Sequence, residues 1–225
     1  PSGGKYNTSL IVTSNLGCSD TAYQSLSIFG RPKIKFQTNN ACLNRQPIFM
    51  VNNSTASNDP IIGTYWAFGD NNTSNQWSPN HTYNTDGTYN VTLKLETHNG
   101  CQDSLTKSVV IYPVPRSQFT SAYLNNDSCG GKADVFFQNI STGANGYTWY
   151  FNWNFDRTDT SNIVSPTKSY NSPELYRILL VAKNAFGCLD TSSDTVGVYP
   201  NPVADIEILT TSGCLPIEIE YNDNS

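Results

Sequence analysis

Six cysteines set the frame of this chain. Three stand in one Gly-Cys-x-Asp setting: Gly17-Cys18-Ser19-Asp20, Gly100-Cys101-Gln102-Asp103 and Gly187-Cys188-Leu189-Asp190. They are spaced 83 and 87 residues apart. The other three, Cys42, Cys129 and Cys214, are spaced 87 and 85 apart. Two interleaved series with one period require a tandem array. A period near 85 residues is too long for a solenoid unit and suits small β domains in series.

The period divides the chain. Residues 1–32 read as the C-terminal hairpin of a preceding repeat, with Tyr6 to Thr13 alternating, a turn at Asn15-Leu16-Gly17, and a return over Thr21 to Phe29. Residues 33–115 form a first complete domain, 116–202 a second, and 203–225 the start of a further one. The junctions, Tyr112-Pro113-Val114-Pro115 and Tyr199-Pro200-Asn201-Pro202, each carry two prolines. Proline fixes φ and cannot donate to a ladder, so these are short, semi-rigid connectors. A lone hairpin is not stable by itself, so the end pieces are expected to pack against further chain. The single Met, absent from position 1, and an N-terminus without charged or apolar leader regions fit a piece of a longer protein whose targeting signals lie elsewhere.

Within 33–115, short runs read as strands at Ile34–Gln37, Pro47–Asn52, Thr64–Phe68, Tyr89–Glu96 and Leu105–Tyr112, with two weakly marked strands between the third and fourth. Tyr89, Val91, Leu93 and Leu95 alternate with Asn90, Thr92, Lys94 and Glu96, which places one face on a core and one in water. Trp66 and Phe68 face the same core. In the second domain Trp153 and Phe155, then Tyr176, Ile178, Leu180 and Ala182, read as their counterparts. The fold class is all-β: tandem immunoglobulin-like sandwiches in a linear string.

Composition excludes several functions. Charged residues are only 14% and the net charge is −5, with no Lys/Arg cluster to neutralise phosphates, so nucleic acid is not a partner. No apolar run approaches the roughly 20 residues of a membrane helix. His81 and His98 are the only histidines, and neither has a partner at metal or triad spacing. No Gly-x-Ser-x-Gly elbow occurs. Catalysis is therefore not expected.

The first domain resembles the polycystic-kidney-disease (PKD) repeat. It carries Trp66-Ala67-Phe68-Gly69-Asp70, Pro79-Asn80-His81-Thr82-Tyr83 and Gly87-Thr88-Tyr89-Asn90-Val91-Thr92-Leu93. The second domain departs from that pattern, with Trp153-Asn154-Phe155-Asp156 lacking the Gly, Lys168-Ser169-Tyr170 for His-Thr-Tyr, and Glu174 for Gly87. The Gly-Cys-x-Asp turn and the paired-proline junction resemble tandem PKD arrays of Bacteroidota cell-surface proteins, including gliding-motility adhesins exported by the type IX system. The resemblance implies a non-catalytic structural segment of a long extracellular, cell-surface adhesin or stalk. Its partners would be neighbouring repeats of the same chain and surface polysaccharide or other cell-surface proteins. A second reading is a carbohydrate-binding accessory array of a secreted glycosidase or protease.

Candidate site residues are few. Asp70, and in the second domain Asp156 with Asp159, could ligate calcium through carboxylate oxygens, although no EF-hand spacing is present; the structural alternative is a carboxylate capping loop amides. No other cofactor is implied. Trp77 and Trp149 lie outside the core pattern and are candidate ligand-facing aromatics, or else loop anchors. Thr21, Ser104, Thr191 and Thr195 each follow Asp and resemble a short O-glycosylation sequon of Bacteroidota secreted proteins.

Two cysteines per repeat point to disulfides and an oxidising compartment. Cys101 and Cys188 belong to turns at the pole where each domain's chain enters, and Cys42 and Cys129 to loops at the opposite pole. A strand of about eight residues separates the poles by roughly 25 Å, whereas bonded cysteines hold their Cα atoms within about 7 Å. An interdomain Cys42–Cys188 bond is expected on this geometry. The intradomain alternative, Cys42–Cys101 and Cys129–Cys188, stays open because disulfides usually lie within a domain.

Overall fold

The computed structural model describes residues 3–44, 46–125, 128–209 and 212–225. Every regular element among them is a β-strand. The chain divides into two compact units, Pro1–Pro113 and Val114–Ser225, at the first proline-rich junction.

The first unit begins with a hairpin of β1 (Gly4–Thr13) and β2 (Ser19–Ile28). Next come the short strands β3 (Phe36–Gln37), β4 (Ala41–Cys42), β5 (Ile48–Phe49) and β6 (Val51–Asn52). The sandwich continues with β7 (Ile61–Ala67), β8 (Thr73–Ser74), β9 (Asn80–His81), β10 (Gly87–Thr97) and β11 (Gln102–Tyr112). One layer is a five-stranded sheet in the order β4-β11-β10-β7-β8; opposite it lie the two-stranded pairs β3-β6 and β5-β9. Phe36, Ile48 and Met50 from the short strands meet Trp66, Val91, Leu93, Leu95, Val109 and Ile111 from the large sheet in one core. The period-2 alternation of β10 produces this directly, with Val91, Leu93 and Leu95 fully buried and Lys94 exposed.

The second unit pairs β12 (Phe119–Tyr123), β13 (Ala133–Asn139) and β16 (Thr167–Tyr170) in one layer. The other layer has the order β15-β14-β17-β18, from β14 (Gly146–Asn152), β15 (Asp156–Ser161), β17 (Leu175–Lys183) and β18 (Leu189–Gly197). Its core gathers Val135, Phe137, Trp149, Phe151, Ile178, Leu180, Val196 and Val198. A last pair, β19 (Ile206–Ile208) with β20 (Tyr221–Asp223), is wholly exposed.

The Gly-Cys turns are one structure made three times. Ser14 N donates to Cys18 O, Thr97 N to Cys101 O and Asn184 N to Cys188 O, each at 2.8–3.0 Å. The glycine before each cysteine has a φ of +78 to +84°, where a side chain is strained. The hairpins they close also share one register: Tyr6 faces Leu26, Tyr89 faces Val109 and Tyr176 faces Val196. In β10 and β11 that register buries Leu93, Leu95 and Val109; the matching Leu10, Val12 and Leu26 of the first hairpin are 65%, 56% and 51% exposed.

The structure corrects the alignment of the second unit. Its core tryptophan is Trp149, fully buried on β14, not Trp153. Trp149 Nε1 donates to Ile163 O at 2.9 Å, as Trp66 Nε1 donates to Gln76 O at 3.0 Å. Phe151 is the counterpart of Phe68, and Phe155 is 81% exposed. Trp149 is therefore a core residue and not a ligand-facing aromatic. The physical reason is parity with its neighbour strand: Trp149 faces Leu180 as Trp66 faces Leu93. A glycine three residues before each tryptophan, Gly63 and Gly146, was the signal that fixes this alignment.

Candidate functional site

The residues with most chemistry meet at one corner of the first sandwich. Phe68 follows the end of β7, and the chain must then turn sharply. Gly69 makes that turn with φ +87°, and a Cβ on it would lie 2.9 Å from the backbone N and O of Asn90. Only glycine fits. Asp70 then accepts from Asn72 N at 3.1 Å and from Asn72 Nδ2 at 3.0 Å, forming a closed Asx turn.

His81, on β9, completes the corner. Its ring lies flat on Phe68, with centroids 4.1 Å apart and planes 7° apart, and stands edge-on to Tyr83 at 4.6 Å. Its Nε2 is 2.7 Å from Asp70 Oδ2. Burial raises the Asp70 carboxyl, but hydrogen bonds from Asn72 and His81 outweigh it and hold the group below its ordinary value. Tyr83 stacks on Tyr89 at 4.0 Å and donates to Phe68 O at 2.8 Å. Burial pushes the Tyr83 phenol well above its ordinary value, so it stays a neutral donor. The Trp-x-Phe-Gly-Asp, His-x-Tyr and Gly-x-Tyr segments are thus three sides of one packed corner.

The second unit rebuilds this corner with different chemistry. Lys168 stands where His81 does, with Nζ 5.4 Å from the centroid of the Phe151 ring and 2.8 Å from Asp159 Oδ1. Tyr170 stacks near Tyr176 at 4.1 Å, and its hydroxyl is 3.5 Å from Phe151 O. In both units a cation-capable side chain covers the phenylalanine and is held by an aspartate.

The calcium candidates are engaged elsewhere. Both Asp70 oxygens are taken by Asn72 and His81. Asp156 Oδ1 accepts from Thr158 N at 2.8 Å and Thr158 Oγ1 at 2.6 Å, closing a turn, and Asp159 pairs with Lys168. Among the described residues no group of three His, Cys, Asp or Glu is placed to hold a metal ion. Trp77 is 45% exposed in the loop after β8. Ser104, Thr191 and Thr195 are exposed and Thr21 half-buried; Thr21, Ser104 and Thr191 occupy one equivalent position of β2, β11 and β18. Sequence reasoning missed the groove formed by Ile62, Gly63, Tyr65, Asn75, Lys94 and Glu96 on the outward face of the large sheet. Its clue was an exposed tyrosine beside a bare glycine on β7.

Cys42 and Cys188 are disulfide-bonded, whereas Cys18, Cys101 and Cys214 are free thiols. This overturns the Cys42–Cys101 alternative. Cys42 lies beside Tyr112, at the end of β11, and Cys101 precedes its start. An eleven-residue strand spans roughly 35 Å, far beyond disulfide reach. The Cys129–Cys188 alternative fails in the same way. Ser128 and Gly131 bond to Tyr199, beyond the far end of β18, while Cys188 precedes its start.

Comparison with known proteins finds similarity to the first unit. Residues 30–112 match the family model described as the PKD domain. A segment of 63 residues is 40% identical to a microbial collagenase of Vibrio alginolyticus; it is 28% of this chain and 8% of that protein's length. Among solved structures, the PKD1 domain of the Vibrio cholerae metalloprotease PrtV is 26% identical, covering 36% of this chain and 96% of that one at a TM-score of 0.34. The PKD1 domain of Vibrio anguillarum Epp is 20% identical, covering 38% and 98% at a TM-score of 0.35. Residues 30–112 are a PKD domain, whose aromatic, histidine and aspartate motif is here the packed corner of the first sandwich.

Proposed function

We propose that this chain is a non-catalytic structural segment of a long extracellular protein, holding other domains at a distance from the cell surface. One observation carries this reading. The motif residues that could do chemistry, Asp70, His81 and Tyr83, are each consumed in a structural contact, and the second unit keeps those contacts after exchanging His81 for Lys168. Selection for a ligand would hold the side chains; selection for a corner holds only the geometry. The repeats at 33–115 and 116–202, with part-repeats at 1–32 and 203–225, are the spacer units, and the paired prolines set their junctions. A Cys42–Cys188 bond would staple consecutive domains, and the oxidised state of both cysteines supports it. Attachment in a Bacteroidota gliding or adhesion protein exported by the type IX system is the finer form of this proposal, supported by the resemblance of the Gly-Cys-x-Asp turns and proline junctions. On this reading Thr21, Ser104, Thr191 and Thr195 are glycan attachment points.

Non-reducing peptide mapping with small-angle scattering tests the spacer. The expected result is a Cys42–Cys188 peptide and an elongated particle whose spread of dimensions widens on reduction. A compact particle, unchanged by reductant, would overturn it.

A further inference from the structure

We propose that the outward face of the five-stranded sheet in the first unit binds a neutral saccharide. The proposal is independent of the spacer role.

The face is concave for local reasons. Gly63 leaves the middle of β7 bare opposite Glu96, and a Cβ there would already press on the Glu96 Cβ at 3.2 Å. Between Glu96 and Thr97 the register slips, so β7 holds one extra residue, Ile62. A bulge of this kind re-aims a side chain; Ile62 is 65% exposed at one end of the groove. Beyond β7 the sheet has only the two residues of β8, and Asn75 forms the rim where it stops.

The lining has the chemistry of sugar recognition. Tyr65, 46% exposed, sits directly across from Lys94. A tyrosine ring offers a rigid apolar face with a polar tip, which suits the C–H face of a sugar and its hydroxyls. Lys94 donates, Glu96 accepts and Asn75 does both. Neither Lys94 nor Glu96 forms a salt bridge among the described residues, so both are available. Their opposite charges stand two residues apart on one face and cancel. A polyanion or a strongly basic peptide gains nothing there; a neutral ligand with donors, acceptors and an apolar face fits.

The second unit provides an internal comparison. Gly146 faces Lys183 and Thr148 faces Val181, the positions of Gly63 with Glu96 and Tyr65 with Lys94. The ring and the carboxylate are gone. Binding belongs to the first unit alone.

Affinity electrophoresis of the whole chain tests this. Native gels would contain laminarin, hydroxyethyl cellulose or galactomannan as neutral probes and alginate as the polyanion. At least one neutral polymer is expected to retard the protein. Tyr65→Ala should weaken that retardation roughly tenfold, about the worth of one aromatic contact, while Tyr65→Phe keeps most of it. Equal melting temperatures for the two variants would separate lost stacking from lost folding. No retardation by any neutral polymer, retardation by alginate alone, or undiminished retardation of Tyr65→Ala would each overturn the proposal.

Discussion

The hydroxyl of Tyr83 donates to the main-chain carbonyl of Phe68 across 2.8 Å of buried space. It ties β10's approach to the end of β7 and pairs the buried carbonyl of Phe68. Tyr83→Phe removes the donor and strands that carbonyl, at a cost of about 1–3 kcal/mol. Tyr170→Phe breaks a longer bond to Phe151, at 3.5 Å, and should cost less. Calorimetry on the two variants, with the first domain's transition falling by at least about 4 °C and the second's by less, checks the contrast. Equal losses would refute it.

Two glycines with similar dihedrals should respond differently to a methyl group. Gly69 and Gly100 both have positive φ, +87° and +78°. At Gly100 an added Cβ meets nothing within 4 Å, so Gly100→Ala carries only backbone strain of about 1–2 kcal/mol. At Gly69 the same atom also strikes Asn90's backbone, so Gly69→Ala should cost at least about 1 kcal/mol more. Urea titration of the two variants measures the difference.

Acid should loosen the first corner. The Asp70 carboxyl is held below its ordinary 3.8 in the folded chain. A depressed folded value means that its stabilisation is complete above the unfolded value and is lost as pH falls through the folded one. Stability should therefore fall below about pH 4, and Asp70→Asn should flatten that fall while lowering stability at neutral pH. Urea midpoints at pH 6 and pH 3 test it; an unchanged slope in Asp70→Asn would count against the assignment. His81→Lys should be tolerated at neutral pH, because Lys168 already fills that role in the second unit.

The corrected tryptophan assignment makes its own forecast. Trp149→Ala opens a cavity in the second core and should cost about 3–5 kcal/mol. Trp153 is half-buried outside the core, with Tyr150 edge-on to its ring and the Arg157 guanidinium 4.2 Å from its ring centroid. Trp153→Ala should cost about 1 kcal/mol or less. Thermal melts of the two variants decide which residue is the core anchor.

The long strands were legible because one residue in two must face the core. β10 and β11 extend only a few residues beyond the spans expected from alternation. The short strands β8 and β9 were not, because two-residue strands have no period to read. The misplacement of Trp149 came from a rich aromatic run, Tyr147 to Trp153, in which composition alone gives no parity. The cross-strand partner, Leu180, settles which ring points inward, and the glycine three residues before Trp149 is the one mark of it in the sequence. The outward groove was hidden for a related reason. It depends on a bulge at Ile62, which interrupts the two-residue period where β7 begins, at Ile61-Ile62-Gly63, and leaves too short a run to read.

One small feature has a mechanical side. Ala41 and Cys42 pair in parallel with Ile111 and Tyr112, and Leu43 N adds a bond to Tyr112 O at 2.9 Å. Asn40 Oδ1 receives Val110 N at 2.8 Å, just beside them. In the second unit Tyr199 N donates to Ser128 O and Gly131 N donates to Tyr199 O. When a chain is pulled from both ends, its first strand is drawn one way and its last the other. Strands that run parallel must then slide past each other, so their hydrogen bonds resist in shear, all at once, instead of unzipping singly. In the first domain the residues beside Cys42 thus form a tensile latch, set where β4, just after the domain's first strand, meets its last; the bonds of Ser128 and Gly131 to Tyr199 stand at the matching place in the second.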